Sequence, residues 1–315
     1  MSLRIKHIAA LDLGSNSFHI LIAKVEAGGI SFVYREKRLM RVLGEESQQN
    51  FIILPNKISE ATELIKYYKS VAEKYSAEIF AVATSAIREA NNRDEFIEEV
   101  LTKTGIRVRI ISGDEEAEIA LLSLQYSIKQ LPSRYLLFDL GGGSTEFIFV
   151  ENSIIVKKFS LPIGAVRYTN KFSTRHDGNI DLVDDLTVLT KKEIAHVKEF
   201  ASYFHFEKCY GMGGTVSAIS MMIEKSIFER DVKYEQLRNY AFSLNEVEKV
   251  ITVVAIAKSI AKKKKIAGLE ETRADIITAG LLIVKTFIEE LRVDSITFAW
   301  TGLREGIIMN ALKKQ

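Results

Sequence analysis

Disulfide chemistry is the first thing this sequence lacks. Its 315 residues hold one cysteine, Cys209, so no bridge can form within the chain, which suits a reducing compartment. Cys209 stands near Phe206 and Tyr210 and reads as a packed thiol, not a nucleophile. Long apolar runs are missing as well. No stretch of about 18 uncharged apolar residues occurs, so no membrane-spanning helix is expected. The opening MSLRIKH leads straight into a strand pattern without the apolar core of a signal peptide, and the cytoplasm is the default location. Charge of one sign is scarce. The net charge is +2, so a polyanionic partner would have to meet local basic patches and not a global field; no DNA or RNA partner is expected. His7, His196 and His205 show no metal-ligand spacing with Cys209 or with one another. What is left is an ordinary globular composition, 47% hydrophobic, at a length that suggests about two domains.

The stretch that is there is Tyr135 to Val150, YLLFDLGGGSTEFIFV. Tyr135-Leu136-Leu137-Phe138 reads as a buried strand, with Asp139 where the strand ends. Gly141, Gly142 and Gly143 follow, then Ser144 and Thr145, and Glu146 to Val150 reads as a second strand. Three glycines let a ligand approach main-chain N–H groups closely, and such groups can converge on an anion. Asp139 and Glu146 can hold Mg²⁺, a hard cation that prefers oxygen ligands and often bridges to phosphates. A plain hairpin turn with a solvated acid is the alternative reading of such a motif.

The pattern occurs twice. Ile8 to Leu11 leads into Asp12-Leu13-Gly14-Ser15-Asn16-Ser17 and then Phe18 to Ala23. Laying Asp12 on Asp139 puts Gly14 on Gly141 and Ser17 on Ser144. A repeat at this separation suggests two related halves, not a short-period solenoid, and two facing hairpins of this kind would define a cleft between domains, a preferred place for ligands.

Elsewhere the patterning is ordinary. Ala27-Gly28-Gly29 reads as a hairpin turn before a strand over Ile30–Leu39, and Arg38 and Arg41 read as solvated more readily than as phosphate-facing. Ile58 to Tyr75 carries a helical stripe. Ile79–Ala83 is a short strand leading into Thr84-Ser85-Ala86-Ile87-Arg88, the strand end at which open α/β sheets bind ligands, where Arg88 could grip phosphate with two parallel hydrogen bonds. Asp94–Lys103 reads as a helix, and Ser112-Gly113-Asp114-Glu115-Glu116 opens another, with acids that complement the helix dipole. Asn170–Leu182 reads as a loop in which His176 and Asp177 are surface residues. Single helices are expected over Val183–Phe204, Val247–Lys265, Asp275–Leu291 and at the C-terminal end, finishing at Lys314. Gly211-Met212-Gly213-Gly214-Thr215 is a second glycine-rich turn before a helix, whose N–H groups would suit phosphate. Lys262 to Lys265 reads as the solvated end of its helix more readily than as a polyphosphate track.

The motifs AALDLGSNSFHILIAKV, ATSAIREANN, ISGDEEAEIAL, FDLGGGSTEF, SLPIGAVR, GMGGTVSAIS and WTGLREG resemble, in this order, those of the exopolyphosphatase / guanosine pentaphosphate phosphohydrolase (Ppx/GppA) family of the actin, hexokinase and Hsp70-like ATPase superfamily. The resemblance runs from about Ile8 to Gly306. It implies an α/β chain of two actin-like (ribonuclease H-like) domains with an interdomain cleft, residues 1–124 with the terminal helix 303–315 packing back, and 125–302. It implies hydrolysis of a terminal phosphoanhydride, in inorganic polyphosphate or guanosine pentaphosphate, with guanosine tetraphosphate as product, in the setting of the stringent response. Glu116 matches the family's catalytic glutamate, a carboxylate able to take a proton from attacking water, with Asp139 and Glu146 beside it. Gly14, Ser15, Asn16, Ser17, Arg88, Gly141, Gly142, Gly143, Ser144 and Thr145 would bind phosphates. Gly213, Gly214 and Thr215 would meet the substrate or nucleotide, and Mg²⁺ would be held by Asp139, Glu146 and Asp12. The resemblance covers the superfamily core without the C-terminal helical extension of longer family members, which leaves processivity on long polyphosphate an open question at this point. A homodimer is allowed. A kinase of the same superfamily and a non-catalytic guanosine tetra- or pentaphosphate sensor are the competing readings.

Overall fold

Strands covered on both faces carry apolar residues at nearly every position, and this governs both sheets. The computed structural model describes residues 6–26, 29–42, 51–174 and 179–313, which fall into two compact units, Met1–Ser123 with Leu303–Gln315, and Leu124–Gly302.

In the first unit, β1 (Lys6–Leu13) and β2 (Ser17–Glu26) form an antiparallel hairpin in which Leu13 faces Phe18. The edge strand β3 (Gly29–Leu39) alternates between more and less exposed residues, as one solvated face requires. Helix α1 (Pro55–Lys74) starts with proline in its first turn, where a missing N–H costs nothing. Its stripe Ile58, Ala61, Ile65, Tyr68 and Val71 is buried. Next come β4 (Glu78–Ala83), α2 (Ser85–Glu89), α3 (Arg93–Thr104) and β5 (Val108–Ile110). Helix α3 ends at Gly105, whose φ of +71° suits a residue with no Cβ. The sheet order is β3-β2-β1-β4-β5, with β4 parallel to both β1 and β5. One face packs on α1 and α3; the other takes Leu303, Ile307 and Ile308 of the terminal helix, Leu303–Lys313. Helix α4 (Gly113–Ser127) carries the boundary between the units.

The second unit repeats this plan. Strands β6 (Arg134–Leu140), β7 (Thr145–Glu151) and β8 (Ile154–Leu161) are followed by α5 (Ala165–Phe172), α6 (Val183–Glu193), α7 (Ala195–Phe204) and β9 (Lys208–Met212). Helix α8 (Gly214–Met222) runs into a π-helical turn, Ile223–Ile227, and is followed by β10 (Ala241–Phe242), α9 (Leu244–Ile256), α10 (Ile260–Lys263), α11 (Ile277–Leu291) and β11 (Ile296–Phe298). The order β10-β11-β9-β6-β7-β8 contains β8-β7-β6-β9-β11, the same succession of antiparallel and parallel pairs as in the first sheet.

Five sequence expectations are corrected. Val183–Phe204 is two helices, broken at Ile194, which is buried in the core. Val247–Lys265 is also two. Ser243 and Glu246 cap α9 reciprocally, the helix stops at Ala257, and Ser259 caps α10 by accepting from Lys262 N. The residues Asn170 to Phe172 belong to α5, not to a loop. Lys263 is no solvated helix end: its side chain is fully buried and donates to Thr278 Oγ1 at 2.8 Å, while Lys262, Lys264 and Lys265 are exposed. Helix α11 begins at Ile277, two residues beyond the expected start. Ala27, Gly28, Arg175, His176, Asp177, Gly178 and Lys314 lie outside the described residues.

Candidate active site

The first hairpin closes through Gly14 N donating to Ser17 O at 3.3 Å; the second closes through Gly141 N donating to Ser144 O at 3.0 Å. The internal repeat read from sequence is therefore a repeat of turn geometry. Register places Asp12 directly opposite His19 in one hairpin and Asp139 directly opposite Glu146 in the other. Opposed residues in an antiparallel pair project to the same face.

In the first unit, Ser15 Oγ lies 2.9 Å from Ser85 Oγ, which ties the hairpin to the start of α2. Asn16 is buried, and its carbonyl accepts from Met40 N and Arg41 N. Arg41 Nε reaches Asn16 Oδ1 at 3.3 Å, so this arginine, which sequence gave to solvent, stands at the hairpin. Arg38 instead pairs with Glu36 and lies over the Tyr67 ring. Ser17 Oγ and His19 Nε2 are 2.7 Å apart. Three residues beyond Ser85, Arg88 Nη1 meets Glu116 Oε2 at 3.1 Å and Ile111 O at 2.9 Å. Glu116 is 8% exposed. Its neighbour Glu115 has a different task. Ser112 N donates to Glu115 Oε2 and Glu115 N to Ser112 Oγ, a reciprocal cap, and Arg109 pairs with Glu115 as well.

In the second unit the glycine turn is wired from behind. Ala165 N donates to Gly141 O, Val166 N and Arg167 N to Gly142 O, and Arg167 Nε to Gly143 O at 2.7 Å. A trans planar peptide sets C=O and the next N–H in opposite directions. With these carbonyls drawn toward the start of α5, the N–H groups of Gly142, Gly143 and Ser144 point the other way, as an anion-binding nest requires. The packing needs Gly164: a Cβ there would lie 2.3 Å from Gly142 O. Thr145 is fully buried and donates to Ile163 O at 2.6 Å, so it anchors the turn rather than presenting its hydroxyl. Glu146 is 1% exposed and accepts from Ser160 Oγ at 2.9 Å. Burial pushes the Asp139 carboxyl up to about 6.

Gly213 belongs to the same constellation. Its φ of +92° is a left-handed value, and a Cβ on it would lie 2.3 Å from Leu140 O and 3.0 Å from Asp139 Oδ1. At Gly214 a Cβ would collide with the Arg273 guanidinium, at 1.6 Å from Nη2. Thr215, buried, packs against Gly280. The sequence reading missed Gly164, Arg167, Ser160 and Arg273. Ser160, Gly164 and Arg167 all stand in the motif SLPIGAVR, whose glycine before a helix was the available signal; Arg273 gave none.

The donor set was tested for Mg²⁺. Among the described residues no three His, Cys, Asp or Glu side chains cluster as a metal cage. Mg²⁺ needs no such cage; one or two carboxylates, waters and substrate phosphate suffice. Asp139 and Glu146, opposed on one face with Ser160 Oγ beside Glu146, fit that description. Elsewhere, burial raises the Cys209 thiol far above its usual range, as expected of a packed residue. No described helix is long and apolar enough to cross a membrane.

The model of the Ppx/GppA phosphatase family matches residues 21–315. The bifunctional 3-dehydroquinate synthase/phosphatase of Fusobacterium nucleatum is 30% identical over 98% of this chain and 47% of its own length; the chain thus spans about half the length of this curated relative. Among solved structures, the Ppx/GppA family member of Aquifex aeolicus is 27% identical with a TM-score of 0.81 across 98% of both chains. An exopolyphosphatase from Cytophaga hutchinsonii is 22% identical with a TM-score of 0.89 across 98% of both chains, a likeness of fold.

Proposed function

Because this chain belongs to the Ppx/GppA phosphatase family, we propose that it hydrolyses a terminal phosphoanhydride bond, in inorganic polyphosphate or in guanosine pentaphosphate. The observation that carries the reading is the backed glycine turn, with carbonyls of Gly141, Gly142 and Gly143 held by α5 and N–H groups directed outward. It is a device for holding phosphate oxygens without a side chain.

The chemistry follows from the residues. Gly142, Gly143 and Ser144 hold phosphate oxygens at the second hairpin, and Gly14 to Ser17 supply donors at the first. Glu116 accepts a proton from water as the water oxygen bonds to the terminal phosphorus. The bridging P–O bond breaks, and the shortened substrate leaves with the bond's electron pair. Arg88, paired with Glu116 through Nη1, can donate its other N–H groups to the transferring phosphoryl. Mg²⁺ bound by Asp139 and Glu146, with Asp12 as a further candidate, would neutralise phosphate charge. Phosphoryl transfer asks mostly for such positioning and electrostatics.

The test is Glu116→Gln, assayed for phosphate release from tripolyphosphate and guanosine pentaphosphate with Mg²⁺. The amide keeps the shape but cannot take the proton, so kcat should fall at least about 100-fold, within the usual worth of a general base, with KM within about threefold. Wild-type turnover in the variant removes Glu116 as base. Binding by wild-type protein with no release from either compound marks a sensor, and substrate consumption only with an added acceptor, whose hydroxyl takes the phosphoryl group so that no free phosphate appears, marks a kinase.

A further inference from the structure

The chain has a single tryptophan, Trp300, which the proposed reaction leaves without a task. It stands two residues beyond β11. In the β9–β11 register Phe298 faces Gly211, and Ala299 N donates to Gly211 O at 2.9 Å. Trp300 thus comes alongside Met212 and Gly213, where the strand turns into α8 and the Gly213-Gly214 N–H groups begin. Strand alternation puts Phe298 and Trp300 on one side. Tyr234 packs against both, with ring centroids 5.9 and 6.1 Å away. The indole is therefore braced, and it is half-buried. Over its ring lies the guanidinium of Arg238, 4.2 Å from the centroid, on an exposed residue.

A planar cation and a purine ask the same of an indole, a flat π face at stacking distance. An exposed cation–π contact is worth only about two- to fivefold in an equilibrium, whereas a base stacked on an aromatic side chain is worth about 5- to 150-fold in affinity. A purine can therefore take the indole face from Arg238, and the displaced guanidinium keeps two N–H edges for phosphate. We infer that Trp300 and Arg238 form a nucleobase shelf, and that the substrate is a purine nucleoside polyphosphate whose phosphates run from the start of α8 toward the glycine turn. The inference refines the hydrolytic reading and rests on it for the word substrate; the binding of the base does not depend on turnover.

The sole tryptophan makes the shelf directly readable. Guanosine tetraphosphate and inorganic tripolyphosphate are titrated separately, each with Mg²⁺, against the fluorescence of the wild-type chain. Saturable quenching by the nucleotide, and none by tripolyphosphate, is the expected result. Trp300→Leu should raise KM for guanosine pentaphosphate at least fivefold while kcat/KM for tripolyphosphate stays within twofold, and Trp300→Phe should recover part of the loss. Equal quenching by both compounds, no quenching by the nucleotide, or a Trp300→Leu effect shared by both substrates overturns the shelf. If the wild-type chain hydrolyses neither compound, the hydrolytic reading falls, and the quenching still decides whether the base binds at Trp300.

Discussion

Asp139 is held at a cost, and that cost is measurable. Burial raises its carboxyl from 3.8 to about 6, which sets roughly 3 kcal/mol against its ionisation at neutral pH. Asp139→Asn keeps the shape and removes the charge. The amide has its own desolvation cost, so a net gain of about 1–2 kcal/mol is expected at pH 7.5. For a unit of this size that is a rise of roughly 2–8 °C in Tm. The sign with pH is fixed by linkage. Between 3.8 and 6 the folded state binds more protons at Asp139 than the unfolded state does, so wild-type stability from this group falls as pH rises through that window. The gap between variant and wild type should therefore be full above about pH 6, shrink as pH falls through the window, and reverse sign below about pH 4, where only the amide's own desolvation cost remains. Thermal unfolding followed by circular dichroism at half-unit pH steps reads both effects. Mg²⁺ adds a second axis. At pH 7.5 it should raise Tm of the wild type and leave Asp139→Asn unmoved, since binding to the folded state alone stabilises it. Phosphate release should be lost in the variant. A variant less stable than wild type at every pH, or a gap that does not change between pH 4 and 7, refutes the burial argument. A Mg²⁺ shift that survives in the variant refutes the metal assignment.

Two further outcomes follow from the same geometry. Gly164→Ala should force the Gly142 peptide to move, at about 1–3 kcal/mol of overpacking, because its new methyl would stand 2.3 Å from Gly142 O; calorimetry with tripolyphosphate should show at least tenfold weaker binding while circular dichroism keeps the native spectrum. Cys209, buried and with its thiolate strongly disfavoured, should take up less than a tenth of an equivalent of an aromatic disulfide reagent in the native chain at pH 8 and a full equivalent in denaturant.

The acid-glycine hairpins were legible because everything that makes them is local. A strand, an acid and a turn of small residues lie within a dozen positions, and the second copy repeats them. The α/β class and the family resemblance were legible for the same reason. What escaped was supplied from a distance. Nothing near Gly142 announces that Val166 and Arg167 draw its carbonyl backward, and nothing near Glu146 announces Ser160. Arg88 was read as a phosphate grip from its place after a strand, but its partner Glu116 lies 28 residues on. The break in Val247–Lys265 had a local sign, Ser259, which caps α10, yet the stop of α9 at Ala257 carries no glycine or proline. Lys263 shows the limit of charge patterning: among four lysines the helix phase turns one inward, and composition cannot say which.

The duplicated hairpins share a scaffold and divide the chemistry. Both have the same turn hydrogen bond and an acid at the end of their first strand. Opposite that acid stands His19 in one copy and Glu146 in the other. An imidazole beside a serine hydroxyl, as at His19 and Ser17, is a hydrogen-bonding pair able to meet phosphate oxygens. Two carboxylates on one sheet face repel each other unless a cation lies between them or one stays protonated. Burial by itself raises the Asp139 carboxyl, and a cation bound there would offset that cost. Hard-cation affinity grows with the count of anionic oxygens, so the Asp139 hairpin is the better candidate for the proposed Mg²⁺, and Asp12 is a single carboxylate opposite His19. The glycines divide in the same way. Gly142 and Gly143 strip one turn to bare N–H groups, while Ser15 and Asn16 spend their side chains on Ser85 and Arg41.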